Sequence, residues 1–551
     1  MTEIKSILKQ IYGDENVDLL SAIDQLKHQY KTPRSVSALS ERDVCLITYG
    51  NSIIDPEQRP LAVMQEFLST TAQAFSTVHI LPFYPYTSDD GFSVIDYKKV
   101  NPGLGDWADI EKIGENKNVM FDAVINHISA SSAWVNGHLE DDPAYVGFVL
   151  AEDLKKDWSR VVRPRTSPLL HEFKKASGQQ VALWTTFSSD QVDLNYRNPK
   201  LLIAILDVLC YYGSKGARLI RLDAIGFMWK EEGSSCIHLS KTHLLIQLMR
   251  RVLEGIFPEI KLVTETNVPH IENISYFGNG NNEAHMVYNF TLPPLMAFSL
   301  LTQDSSKFQK WAMSLELPSN QVCFFNFLAS HDGVGLRPIQ GILDTNEVLE
   351  VVDSAKANGG TISYKTDPDR TASPYEVNCN YFDLLKGKKR DQTLGVKKML
   401  LAHAVLLSMP GLPAIYIHSL LGSVNDLEAV QNGAPNRSIN REKIDFRTLK
   451  EELKDPNSIR SFIYKGICQM VEIRSAIGAF DPVSKFSIVE TSKSLFHLKR
   501  FSSGEEVDCV FNFSESNHTY ELTKDSMDLI TGEKISKRFE LKPFAYLWLK
   551  I

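Results

Sequence analysis

Eight short apolar runs recur through the first four fifths of the chain, at 44–49, 78–83, 119–125, 219–225, 261–266, 286–290, 322–327 and 412–417. Runs of this length without alternation read as strands buried on both faces, the signature of a parallel sheet. Helical spacing fills several of the intervals, as in Leu245, Leu248, Met249, Val252, Leu253 and Ile256, with Ser240 before them and Pro258 as the expected stop. Strand and helix alternating eight times predict an α/β chain folded as a (β/α)8 TIM barrel.

Two connections are too long for plain barrel loops. Residues 128–198 after the third strand form a predicted insertion with strand-like pieces of its own, and 337–390 after the seventh form a second, polar and turn-rich, with Gly359-Gly360 and Asp367-Pro368-Asp369. The catalytic barrel is expected over 41–477 and a helical extension over 1–40. From 478 to 551 the pattern changes to alternation, with Val507, Cys509, Phe511 and Phe513 spaced by polar or smaller residues. That predicts a small C-terminal antiparallel β domain.

Three carboxylates end three of the apolar runs. Asp223 closes Arg218-Leu-Ile-Arg-Leu-Asp223, Glu265 closes Lys261-Leu-Val-Thr-Glu265, and Asp332 follows His331 after the seventh run. An ionised group at the end of a buried strand is costly unless a partner or a reaction uses it. One such acid reads as a core salt bridge as readily as a catalytic group; three at like positions do not. In a barrel the strand ends converge on one face, so the three can surround one sugar. Glycoside chemistry needs a carboxylate at the anomeric centre and a carboxyl group that protonates the leaving oxygen. Arg221, two residues before Asp223, shares its face of the strand and would keep it ionised.

The formal net charge of -8 and the absence of a Lys/Arg block exclude a polyanion as main ligand, so no nucleic acid is expected. Seven scattered cysteines without a C-x-x-C pair fit buried thiols in a reducing compartment. The start of the chain lacks a signal-peptide core, and the apolar helix over 399–409 is too short to span a bilayer. A cytoplasmic protein without membrane contact is expected.

Further motifs resemble glycoside hydrolase family 13, the α-amylase family: Asp122-Ala-Val-Ile-Asn126-His127, Gln191-Val-Asp193-Leu-Asn195, Arg221-Leu-Asp223-Ala, Glu265 and His331-Asp332, in that family's order. Within it the chain is similar to the sucrose phosphorylase branch through Leu46-Ile-Thr-Tyr49, His79-Ile-Leu-Pro-Phe83, Asp89-Asp-Gly-Phe-Ser-Val-Ile-Asp96, Arg163-Pro-Arg165, Gly233-Ser-Ser-Cys236, Leu292-Pro-Pro294 and Ser438-Ile-Asn-Arg441.

The resemblance implies a retaining phosphorylase with Asp223 as nucleophile, Glu265 as general acid/base and Asp332 as transition-state stabiliser. It implies that Asp89, His127, Arg221, His331 and Arg441 hold the glucose hydroxyls with Phe92 against the ring, and that Arg165 meets phosphate. Gln191, in the second of the shared motifs, and Tyr375, in the second insertion, join the substrate-binding set. At three acceptor positions the branch's pattern changes: Asn267 stands two residues after the acid/base where sucrose phosphorylases have a histidine, and Ser373 and Glu376 replace an Asp and a Gln. The chain is most similar to glucosylglycerate phosphorylases, through Thr264-Glu-Thr-Asn-Val-Pro-His270, Asn326-Phe-Leu-Ala-Ser-His-Asp-Gly333 and Pro374-Tyr-Glu-Val-Asn378.

The implied reaction is reversible phosphorolysis of 2-O-α-glucosylglycerate to α-glucose 1-phosphate and glycerate. Sucrose or sucrose 6'-phosphate phosphorylase, an α-glucosidase and a catalytically inactive binding subunit are the alternatives. The expected partners are a small-molecule glucoside and inorganic phosphate, with no cofactor, and the chain is a monomer or homodimer. No metal is expected: some amylases bind calcium near the equivalents of Asn126 and Asp193, but one Asn and one Asp fall short of six to eight oxygen ligands. Asp122 and Arg221 read equally as a structural pair or as sugar contacts, and His127 also reads as a strand-end histidine bonded to backbone. Phe83-Tyr84-Pro85-Tyr86 reads as strand-end packing.

Overall fold

The structure is a computed structural model describing residues 2–13, 17–30, 38–165, 167–366, 372–502 and 504–551. Eight parallel strands close into a barrel: β1 (Cys45–Thr48), β2 (Thr77–Ile80), β3 (Asn118–Ala123), β4 (Ala217–Leu222), β5 (Lys261–Thr264), β6 (Met286–Tyr288), β7 (Cys323–Phe327) and β8 (Leu412–Tyr416). Each falls on one of the eight apolar runs, with β2, β3 and β4 starting one or two residues before it. Closure is direct, with Cys45 of β1 opposite Ala414 of β8 and Thr77 of β2. Nearly every strand residue is buried, which is why the runs are continuous rather than alternating.

The helix expected to stop at Pro258 spans Ser240–Glu254 and gives way at Gly255, so proline follows the end rather than making it. At the amino end, helices Thr2–Tyr12 and Val17–Gln29 lie on the barrel's outer helices. Tyr12 donates to the Tyr196 carbonyl at 2.7 Å and packs edge-on against Trp229, while Glu3 meets Arg251 at 2.8 Å.

After β3 the chain forms two small antiparallel pairs, His127–Ser129 with Gln191–Asp193 and Leu170–Lys174 with Gln180–Trp184. The first pair seats both His127 and Gln191 above the barrel. A buried cation anchors it: Lys230 Nζ lies 2.5 Å from Asp193 Oδ2 and 3.2 Å from Asn126 Oδ1. Asp193 also accepts from the Thr186 amide and hydroxyl at 2.8 and 2.7 Å.

After β7 come helix Thr345–Ala357 and a hairpin of Thr361–Thr366 with Ala372–Asn378, whose second strand also pairs with Val334–Gly335. The turn motif Asp367-Pro368-Asp369 lies outside the described residues. In the hairpin Ser363 faces Glu376 but Tyr364 faces Pro374, so Tyr375 is the extra residue of a β-bulge.

The carboxyl-terminal region is a six-stranded antiparallel sheet with a separate two-stranded ribbon of His518–Glu521 and Arg538–Leu541. Its alternation is only half of the pattern. Val507, Cys509, Phe511 and Phe513 are buried in the main core, and their neighbours Asp508, Val510 and Asn512 are buried as well, on the other face of the strand. Val510 packs with Leu522 and Leu541 in a second small core, so that strand is covered on both faces rather than one. Asp508 is accommodated by His497 and Lys499, each at 3.2 Å.

Removing the ammonium of Lys230 would strand the Asp193 carboxylate in the interior, where an uncompensated charge is far more costly than a lost pair. Lys230→Met is expected to lower stability by about 3–5 kcal/mol, read from chemical or thermal melts. Asp193→Asn in the same chain should recover part of that loss, and simple additivity of the two would exclude the pairing.

Candidate active site

The carboxyl ends of β3, β4, β5 and β7 open into one cavity of about 780 Å³, mouth included. Asp223, Glu265 and Asp332 all line it, although they come from three strands and span more than a hundred residues of sequence. Asp89, Phe92, His127, Arg165, Gln191, Arg221, Asn267, His331 and Tyr375 stand in the same wall.

One guanidinium organises the floor. Arg221 Nη1 lies 2.5 Å from Asp122 Oδ1 and 2.6 Å from Asp223 Oδ1, and Nη2 is 3.8 Å from Glu265 Oε2. Asp122 is fully buried and takes His79 Nε2 at 2.6 Å on its other oxygen. The two readings of Asp122 and Arg221 therefore separate: Asp122 lies beneath the cavity as a structural partner, and Arg221 reaches its surface. Burial pushes Asp223 upward and Arg221 opposes that rise.

Glu265 is held differently. Ala224, next to Asp223, sits in the left-handed region at φ 49°, and its amide donates to Glu265 Oε2 at 3.0 Å. A non-glycine residue in that region is a strained position of the kind stored at functional sites. Burial, joined by the negative charges of Asp223 and Asp332 and opposed by Arg221, raises Glu265 to about 7. A carboxyl group raised this far still holds its proton near neutrality, the state that a proton donor needs.

Asp332 stays ionised. Burial works against its charge, but Arg437, joined by Arg441 and Arg221, holds it far below the usual carboxylate range. Arg437 Nη1 contacts Asp332 Oδ1, while its Nε and Nη2 fork onto Glu376 at 3.1 and 2.7 Å. His331 is kept neutral by burial, and its Nδ1 makes no hydrogen bond among the described residues. Its ring stacks on Phe92, with centroids 4.6 Å apart and planes nearly parallel.

A pair of strained residues supports Phe92. Asp89 and Asp90 have φ of 52° and 48°, and Gly91 follows at 113°. A Cβ at Gly91 would lie 2.6 Å from the Pro82 carbonyl oxygen, so only glycine fits this turn. The Phe92 carbonyl accepts from Gln191 Nε2 at 2.9 Å and meets His127 Nε2 at the same distance. His127 thus has the backbone bond of its structural reading and a place in the cavity wall.

Three expected substrate residues, Arg441, Glu376 and Ser373, do not line that wall. Arg441 turns to the His331 carbonyl at 2.8 Å and to Asp90 at 2.6 Å. Glu376 is 2% exposed and committed to Arg437. Ser373 stays outside because the bulge turns Tyr375 inward without it. Strand alternation alone would have put Ser373 and Tyr375 on one face.

Two arginines that the sequence reading did not single out, Arg337 and Arg437, complete the wall with Phe187 and Phe227. Arg437 lies four residues before Arg441, beside a quoted motif, and was findable there. Arg337 lies in a loop with no periodic signal. No group of three or more His, Cys, Asp or Glu side chains that could hold a metal occurs among the described residues, and the oxygens of Asn126 and Asp193 are occupied by Lys230.

The comparisons agree with this architecture. Residues 72–336 match the model of the α-amylase catalytic domain, and 499–550 match that of a β-galactosidase C-terminal domain. The chain is 42% identical to the glucosylglycerate phosphorylase of Escherichia coli, covering all of both chains. It is 43% identical to the glucosylglycerate phosphorylase of Spirochaeta thermophila, over 93% of this chain and 89% of that one. The sucrose 6F-phosphate phosphorylase structure from Thermoanaerobacter thermosaccharolyticum superposes with a TM-score of 0.76 at 23% identity, over 91% of this chain and 99% of that one. By full-length identity, fold and the convergence of three strand-end acids, the chain belongs to the α-amylase family, glycoside hydrolase family 13, in the branch of the glucosylglycerate and sucrose phosphorylases.

Proposed function

We propose that the protein is a retaining phosphorylase that converts 2-O-α-glucosylglycerate and phosphate to α-glucose 1-phosphate and glycerate. The observation that carries it is a complete glycosidase acid set in a cavity whose wall also offers Arg165, which has no carboxylate partner among the described residues. A cation left unneutralised beside a sugar site suits an anion, and a guanidinium fork matches phosphate. The choice of glycerate follows the two full-length relatives.

In the first step an Asp223 carboxylate oxygen attacks the anomeric carbon while the bond to the glycerate oxygen breaks. Glu265 gives its proton to that oxygen, leaving a β-glucosyl ester on Asp223. A phosphate oxygen then attacks the same carbon. The ester bond breaks, Glu265 recovers a proton from phosphate, and α-glucose 1-phosphate departs with Asp223 restored. Asp332, held anionic by Arg437, stabilises the positive charge on the ring in both transition states. His127, Arg221, His331 and Asp89 hold the hydroxyls, with Phe92 beside the ring. All seven cysteines are free thiols, and no helix among the described residues is long and apolar enough to cross a membrane, which fits a cytoplasmic place of work.

Incubation with a panel of α-glucosides should give α-glucose 1-phosphate from glucosylglycerate, with release that depends on phosphate. Strong turnover of sucrose and none of glucosylglycerate would reassign the acceptor, and free glucose formed equally without phosphate would make the protein a hydrolase. Asp223→Asn should lower turnover by several orders of magnitude in a chain that melts normally. Glu265→Gln should lower turnover of glucosylglycerate by about 10²–10⁴-fold, yet spare α-glucosyl fluoride, whose leaving group needs no proton.

The pH dependence follows from Glu265 being protonated up to about 7. The rate of glucosyl transfer from glucosylglycerate should fall as pH rises through 7. Because the folded chain holds this proton more tightly than the unfolded one, stability is lost as pH climbs from about 4.5, the ordinary carboxyl value, to about 7, and is level above that. Glu265→Gln should therefore melt higher than wild type above pH 7, by at most about 3 kcal/mol, with the gain vanishing near pH 4. A flat difference across that range would contradict the assignment.

A further inference from the structure

The leaving-group side of the cavity can be located outward from Glu265, because an acid must stand beside the oxygen it protonates. Thr266, Asn267 and Val268, which follow β5, build that side. The turn after β7 closes on it: a Cβ at Gly335 would lie 2.5 Å from Asn267 Nδ2, so the two segments touch through a position with no side chain. Two residues on, Arg337 begins the short helical turn Arg337–Ile339 and enters the cavity wall.

Its charge is poorly compensated there. Arg221 and Arg437 are each held by two carboxylates at bonding distance. Arg337 makes no side-chain hydrogen bond among the described residues, and its one carboxylate neighbour, Glu272, is 3.6 Å away and 42% exposed. Glu272 is also shared with His238 Nε2 at 3.3 Å. The fields agree with this placement: burial, with Arg337 assisting, lowers His238 to about 4, and Arg337 acts together with Arg165 and Arg437 on the phenol of Tyr375. Three arginines from separate segments thus act on one residue of the cavity wall, and Arg337, on Glu265's flank, has only the distant, half-exposed Glu272 as counter-charge.

We propose that Arg337 is the specificity-determining residue for the acceptor, recognising the carboxylate of the departing 2-hydroxy acid; the inference rests on the phosphorylase reading above. Its planar fork offers paired N–H donors that match a carboxylate. A neutral polyol or ketose would leave the same guanidinium half-buried without a partner, which disfavours such acceptors as strongly as the acid is favoured.

The test uses the reverse reaction from α-glucose 1-phosphate with glycerate and with glycerol, which carries a hydroxymethyl group where glycerate has its carboxylate. Hydrolysis of α-glucosyl fluoride reports the integrity of the glucose site. Arg337→Met should lower kcat/KM for glycerate roughly 10- to 100-fold, mostly through KM. Glycerol transfer should rise, because the unpaired charge that disfavours a neutral acceptor is gone, while fluoride hydrolysis should be unchanged and Arg337→Lys should restore part of the glycerate affinity. Equal losses for glycerate and glycerol would assign Arg337 to holding Glu272 and His238 instead, and an unaltered glycerate KM would overturn the proposal outright. If wild type makes no α-glucose 1-phosphate from glucosylglycerate, the phosphorylase reading fails. The same two acceptors with α-glucosyl fluoride as donor then still decide Arg337, since no preference for the carboxylate would refute it.

Discussion

The guanidinium of Arg221 is the constraint on which the rest of the site depends. It is almost fully buried, contacts Asp122 and Asp223, approaches Glu265, and lies over the rings of Phe92 and Tyr288 at 5.5 and 5.4 Å. Three carboxylates drawn to one cation in a low-dielectric floor would repel each other without it. With it, each acid settles at its own balance of burial and charge. Asp122, bonded also to His79, is held below the usual carboxylate range, while burial and the neighbouring carboxylates outweigh the cation at Glu265, which keeps its proton.

A second cation repeats the device on the opposite wall. Arg437 bridges Asp332 and Glu376, and Glu376 sits on the strand that also carries Tyr375. Asp332 is therefore braced by the hairpin after β7 rather than by the barrel alone. Asn440 adds to the bracing by donating to the Asp332 carbonyl at 3.0 Å. Barrel and hairpin are joined through the Arg437 side chain.

The barrel was legible because strands buried on both faces leave unbroken apolar runs, and the acids were legible because charge at the end of such a run is conspicuous. Arg221 could be placed from the two-residue period of its strand. The period failed where backbone was irregular. At Tyr375 a bulge separates it from Ser373, and Glu376 and Arg441, both matched by motif, turn to Arg437 and Asp90 rather than to the cavity. Arg337 carried no signal because loop residues declare neither face nor depth. The carboxyl-terminal sheet misled in another way: alternation predicted one wet face, while the ribbon of His518–Glu521 and Arg538–Leu541 covers it with a second core.

Lys230 carries a further implication. Its ammonium fills the space between Asn126 and Asp193 while remaining covalently part of the chain. A tethered counter-charge cannot diffuse away, so the carboxylate of Asp193, on the strand that also carries Gln191, is balanced by the polypeptide itself.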